Sequence, residues 1–197
     1  MAVDVADEAS VAALVAAAAE QFGRIDVLVN NAAIFVLKGL DAPFEEWRRS
    51  LEVNVIGTVF ASRQVVPVMR RGGGGAIVNL GSISSFIAQP QVVAYSATKA
   101  AIANMTRCMA LDLAADRIRV NAVCPGTVWT PIVERLAADE GLDRAAADAA
   151  PAWGGAHLLN RLADPHEIAA AIAFLASDDA SFITGENLMV DGGYTAR

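Results

Sequence analysis

Two side chains in the middle of the sequence have the types and spacing for proton chemistry, and a third stands close by. Tyr95 and Lys99 are four residues apart in Tyr95-Ser96-Ala97-Thr98-Lys99, and Ser82 lies thirteen residues before the tyrosine. On a helix, residues four apart share a face one turn from each other, so a phenol and an ammonium would be neighbours. A free phenol has a pKa of about 10 and is a poor acid or base at neutral pH. A nearby cation favours the phenolate and lowers that value, and a lowered phenol can serve as a general acid or base. Such a pair is common on exposed helices, so its surroundings decide. Ser82 follows an apolar run that reads as a buried strand, and Asn54 interrupts a helical stretch, as a residue does when its side chain or carbonyl is employed elsewhere.

The elements that would position these residues alternate between helical and strand patterns, the signature of an α/β fold with a parallel sheet covered on both faces. Asp7 to Phe22 carries an apolar stripe at Val11, Leu14, Val15, Ala18 and Phe22 and stops at Gly23. Ile25 to Val29 reads as a short buried strand. Phe44 to Met69 is helical, with a break around Asn54 to Gly57. The run Gly72-Gly73-Gly74-Gly75 lacks the spacing of a phosphate loop and leads into a strand, so it reads as a surface turn. Ala76 to Leu80 is the next strand, Tyr95 to Ala114 a helix, and Ile118 to Val123 a third strand stopped by Pro125-Gly126. Thr127 to Asn160 is Ala-rich and loosely patterned, which predicts a functional lid. Pro165 to Ala176 is a helix capped by Asp164, and Leu188 to Val190 closes the sheet.

The 197 residues are 55% hydrophobic and 19% charged, enough for one domain with a full core and too apolar for a disordered chain. Fifteen Lys and Arg against twenty-two Asp and Glu leave a net charge of −7, with no basic cluster. Nucleic acid is therefore not expected as a partner. No apolar run approaches the length that spans a bilayer, and Met1-Ala2-Val3-Asp4 is acidic where a signal peptide is basic, so the expected location is cytoplasmic, without membrane. Cys108 and Cys124 show no metal or redox spacing and read as buried thiols; no metal is expected. Asn79 and Asn121 are expected to satisfy backbone groups at strand ends, and His157 and His166 to lie on the surface. Trp129 and Trp153 fit equally well a pocket lining or packing within the lid.

Taken together, the motifs resemble the classical short-chain dehydrogenases/reductases over the whole chain. The matching residues are Asn30-Asn31-Ala32-Ala33 after the Ile25 to Val29 strand, Asn54 in Leu51-Glu52-Val53-Asn54-Val55, Ser82, the Tyr95 and Lys99 pair, Pro125-Gly126-Thr127-Val128-Trp129-Thr130, and Thr184-Gly185 with Val190-Asp191-Gly192-Gly193. The four-residue Tyr95 to Lys99 spacing separates the chain from relatives with a wider one, such as the enoyl reductases. The resemblance implies a Rossmann-type doubly wound sheet and hydride transfer between NAD or NADP and a secondary alcohol or ketone. It makes Tyr95 the acid/base and Ser82 the hydrogen-bond partner of the substrate oxygen. Lys99 would lower the phenol's pKa and bind the nicotinamide ribose, and Asn54 would hold a proton-relaying water. It also places Asp4 and Val5 at the adenine, Asn31 and Ala32 on the adenosine side, and Val128 and Thr130 at the carboxamide. Ala33 departs from the family's glycine by one methyl group. Homodimers or homotetramers are implied, through helices corresponding to about Asn54 to Met69 and Tyr95 to Ala114.

The family opens with a strand, a glycine-rich turn, a helix, a second strand and a second helix, and the sequence shows no counterpart before Met1. The resemblance thus implies a sheet lacking the first β-α-β-α portion, with Ala2-Val3 as the stub of a third strand and Ile25 to Val29 as an exposed apolar edge. Two functions fit this arrangement. One is a short-chain dehydrogenase acting on an alcohol or ketone; the other is a catalytically inactive truncated paralogue that serves as an oligomerisation partner. The substrate is left open among small secondary alcohols, sugar acids, steroid-like rings and acyl chains, because the lid carries no diagnostic charge.

Overall fold

The computed structural model describes residues 1–196. Four parallel strands form one sheet in the order β1 (Val27–Asn30), β2 (Gly75–Leu80), β3 (Ile118–Pro125) and β4 (Asn187–Val190). Val29 pairs with Val78, Val78 with Asn121, and Ala122 with Asn187. β2 and β3 are buried almost throughout, as central strands of a doubly covered sheet must be, and both are mostly apolar, broken by Asn79 in β2 and by Arg119 and Asn121 in β3.

The two faces are covered by different helices. Val15 of α1 (Glu8–Phe22), Val65 and Met69 of α3 (Gly57–Gly72), and Ala110 and Leu113 of α4 (Val93–Leu113) pack on Ile77, Ile118 and Val120. Ile168 and Leu175, on the C-terminal helix Pro165–Ala176, pack on Val78 and Val123 of the opposite face. Asp7 caps α1 by accepting the Ala9 N–H at 2.9 Å, and Gly23 closes it in the left-handed conformation. The Pro165 helix starts on a reciprocal capping box between Asp164 and Glu167.

The helical break falls at Glu52–Ile56, where a π turn joins α2 (Phe44–Leu51) to α3. A π turn carries one residue more than an α turn, which redirects Asn54 out of the helical ladder. The Thr127 to Asn160 segment is more regular than its pattern predicts. It contains α5 (Pro131–Asp139), capped by Thr130, and α6 (Arg144–Ala149), capped by Asp143. These helices bury Ala137, Ala147 and Leu162 against Trp129 and Trp153, so both tryptophans pack within the segment. Short alanine helices held by caps show no apolar stripe, which is why periodicity does not reveal them. The helix Pro165–Ala176 is α7.

Four expectations are corrected. Ala2-Val3 is not a strand, because no strand lies beside it to bond with. Cys108 is exposed on α4, whereas Cys124 is buried. Asn79 bonds side chains, accepting from Asn30 at 2.9 Å and donating to Thr106 at 3.0 Å, while Asn121 does serve the backbone of Ile183 and Glu186. His157 is only 2% exposed, because its ring packs against Gly126, Gly192 and the Tyr194 ring. His166 lies on the surface.

Candidate active site

The C-terminal ends of β2 and β3 and the first turns of α4 enclose a cavity of about 300 Å³ that Ser82, Tyr95 and Lys99 all line. Parallel sheets place ligands at this end of their strands. Ser82 leaves β2 in extended conformation and caps a short 3-10 turn by accepting the Ser84 N–H at 3.1 Å. Tyr95 and Lys99 follow in the first two turns of α4. The Lys99 ammonium donates to the carbonyl of Leu80, the last residue of β2, at 2.7 Å and lies 5.6 Å from the centre of the Tyr95 ring.

Burial governs the titration of this group. It pushes the Tyr95 phenol above its ordinary value, with the Ser82 hydrogen bond pulling the other way and the nearby Cys124 thiol adding to the rise. The expected lowering by Lys99 is not what dominates. Lys99 is itself lowered to about 8 by burial, since an ammonium in an apolar setting loses its hydration. Burial likewise pushes the Cys124 thiol up to about 11.

Asn54 is buried, and its side chain is spent on the protein. Its Oδ1 accepts the Ile34 N–H at 2.8 Å while its Nδ2 donates to the Ile34 carbonyl at 2.9 Å and to Thr98 Oγ1 at 3.1 Å. Thr98 in turn donates to the Tyr95 carbonyl at 2.7 Å. The π turn thus ties the loop after β1 to the helix that carries Tyr95, and the Phe35 ring packs edge-on against Tyr95 with centres 4.3 Å apart.

The remaining expected site residues divide among three places. Val128 and Thr130 line the same cavity as Tyr95, together with Asn31. Val5, Asn31 and Ala32 share a smaller groove of about 140 Å³ between α1, β1 and α3. Asp4 lines neither cavity; its carboxylate accepts the Ala6 N–H at 2.9 Å and faces Arg49 at 3.4 Å.

The donor set on the cavity wall fits a nicotinamide. Val128 forms an isolated parallel bridge with Ala163, in which the Trp129 N–H bonds the Ala163 carbonyl and the Ala163 N–H bonds the Thr127 carbonyl. The N–H and carbonyl of Val128 therefore point away from Ala163, and neither has a partner among the described residues. A free donor and a free acceptor side by side match a carboxamide, and the Lys99 ammonium has two N–H groups beyond the one that bonds Leu80, which suits ribose hydroxyls.

His157 supports this wall from behind. Its Nε2 accepts the Thr127 N–H at 3.1 Å and its Nδ1 faces the Trp153 carbonyl at 3.1 Å, so the proton is on Nδ1. Gly126 lets the ring approach, since a Cβ there would meet Nε2 at 2.9 Å. Neither histidine stands in a spacing that marks it in the sequence.

Comparison with known proteins gives the family and the fold. A family model described as enoyl-(acyl carrier protein) reductase matches residues 1–195. A cis-4-hydroxycyclohexanecarboxylate dehydrogenase of Sinomonas cyclohexanicum is 47% identical over 98% of this chain and 75% of its own length. A cyclopentanol dehydrogenase of Comamonas sp. (strain NCIMB 9872) is 44% identical over 88% of this chain and 67% of its own. The structure of ElxO with NADP bound superimposes with a TM-score of 0.91 at 31% identity, covering 99% of this chain and 77% of that one. The sheet and the strand-end cavity define a Rossmann-type oxidoreductase fold, and the chain belongs to the short-chain dehydrogenase/reductase family within it.

Proposed function

We propose that the protein transfers hydride between NAD or NADP and a secondary alcohol or ketone, with Ser82, Tyr95 and Lys99 as the catalytic residues. The observation that carries this is the convergence of a hydroxyl, a phenol and a buried ammonium on one cavity at the strand ends. The nicotinamide, when bound, supplies the hydride acceptor or donor. In the oxidative direction Ser82 holds the substrate hydroxyl, and the Tyr95 oxygen, once its own proton has passed to solvent, takes the hydroxyl proton as the C–H hydrogen leaves with its electron pair for the nicotinamide. In reduction the same oxygen returns the proton to the forming alkoxide. Lys99 binds the ribose hydroxyls and stabilises the phenolate in the moment it exists.

Asn54 acts through its clamp on Ile34 and Thr98, and its carbonyl is the group that would hold a relay water. Val128 and Thr130 hold the carboxamide, Asn31, Ala32 and Val5 border the adenosine side, and Asp4 approaches the adenine from the rim. The segment from Thr127 to Asn160 is the cover of the site. Assembly into homodimers or homotetramers would use α3 and α4, where Leu111 is 81% exposed.

The test is Tyr95→Phe. Turnover of an alcohol should fall by about 1000-fold or more, while NADH or NADPH raises the thermal unfolding midpoint as in the unaltered protein. A variant with near-normal rate would remove Tyr95 from the chemistry, and an unaltered protein that neither nucleotide stabilises would remove the cofactor. The nucleotide that gives the larger shift is the one used.

A further inference from the structure

We infer that the substrate is an uncharged hydrocarbon alcohol or its ketone, and that the site discriminates against a carboxylate on the same ring. This rests on the oxidoreductase reading of the cavity and deepens it. Away from Ser82, Tyr95 and Lys99 the wall carries Ile34, Phe35, Ile83, Ile132 and Val133, and its other polar side chains, Gln89 among them, are neutral. Gln89 does not offer a charge, and its Oε1 already accepts from the Ser84 hydroxyl.

Among the described residues that line the cavity, Lys99 is the sole cation. One N–H of its ammonium is held by the Leu80 carbonyl, the group lies 5.6 Å from the centre of the Tyr95 ring at the reacting end of the cavity, and burial already lowers its pKa to about 8. The neighbouring arginines are occupied elsewhere. Arg144 pairs with Asp148 at 2.9 Å and Asp164 at 2.7 Å, Arg161 pairs with Glu167 at 2.7 Å, and neither lines the cavity. A substrate carboxylate entering here would lose water and meet, besides Lys99, only neutral donors such as the Gln89 amide, which is costly, whereas an apolar ring gains by burial. Of the two relatives above, one is named for a hydroxycyclohexanecarboxylate and the other for cyclopentanol. The wall of this cavity suits the second kind of substrate, although overall identity is higher to the first.

The experiment compares three alcohols on the purified chain with saturating NAD or NADP: cyclohexanol, cis-4-hydroxycyclohexanecarboxylate and the methyl ester of that acid. The expected kcat/KM for the acid is lower than for cyclohexanol by about 100-fold, with the ester within about tenfold of cyclohexanol. An acid turned over as well as cyclohexanol overturns the inference. So does an ester as poor as the acid, because size and not charge would then be the cause. Gln89→Arg should raise the acid-to-cyclohexanol ratio by about tenfold or more, and an unchanged ratio would take the discrimination away from this wall.

Saturation-transfer NMR with cyclohexanone and 4-oxocyclohexanecarboxylate reads the same preference without turnover. Transfer to the neutral ketone alone is expected, and transfer to neither, or to the acid alone, overturns the inference. If the neutral ketone binds but no alcohol is oxidised, the oxidoreductase reading has failed and the preference of the cavity stands.

Discussion

Lys99 holds its charge where burial resists it, and this has a consequence for stability. Its folded pKa of about 8 lies below the free value of 10.5. Between those values the unfolded chain keeps a proton that the folded chain has released, so stability rises with pH from about 8 upward. Cys124 opposes this above pH 9, because its folded thiol, raised to about 11, keeps a proton that the unfolded thiol has lost. Thermal unfolding between pH 8 and 9 should therefore show a rising midpoint that Lys99→Met abolishes; a flat profile in the unaltered protein would contradict it. At this scale the Tyr95 to Lys99 spacing was legible, since helical geometry alone makes the two neighbours. The direction of the phenol's shift was not, because it depends on how much protein surrounds the ring, and that protein comes from Phe35 and the strand ends. His157 was hidden for the same reason: nothing near it in sequence indicates that Thr127 and Trp153 bracket its ring.

Helix ends and loop anchors set how firmly the site is held. Glu167 is lowered to about 2, first by its hydrogen bond to Arg161 and then by the Asp164 N–H that it accepts at the start of α7. A lowered carboxyl contributes stability that is complete above its free pKa of 4.5 and lost as pH falls toward about 2. Glu167→Ala should cost about 1 kcal/mol at pH 7, with the difference from the unaltered protein shrinking as pH falls below 4.5. Equal stability of the two at pH 7 would show that the box contributes nothing. His157→Leu leaves the Thr127 N–H without its acceptor, and should cost about 1–3 kcal/mol in denaturant unfolding while raising KM for the nicotinamide cofactor more than it lowers kcat. A loss of stability with unchanged KM would limit His157 to a structural part. α1 and α7 were readable because their caps are local, Asp7 with Gly23 and Asp164 with Pro165. The break near Asn54 was readable as a position but not as a π turn, since its widening is supported by bonds to Ile34, twenty residues away.

For the molecule as a whole, the outer edge of the sheet matters most. β1 pairs only with β2 among the described residues, and Val27 and Val29 are 42% and 40% exposed, Val29 lining the groove that Val5 and Ala32 border. An apolar strand edge of this kind invites pairing with another chain. Val29→Lys should lower self-association in light scattering, and binding of an apolar dye, by about half; unchanged values would show that the edge is protected in solution. Composition, the alternation of helical and strand patterns, and the order of the motifs were enough to determine a parallel α/β sheet and its family, and to single out Ser82, Tyr95 and Lys99, which the fold brings to one cavity. These depend on local spacing and on which residues are apolar, and both are written along the chain. Tertiary structure alone decided that burial sets the phenol's pKa, that the Val128 amide has no partner among the described residues, that His157 supports the loop, and that no described residue lining the cavity adds a cation to Lys99. Each of those depends on residues far apart in sequence meeting in space, where burial and hydrogen-bond partners are shared out among them.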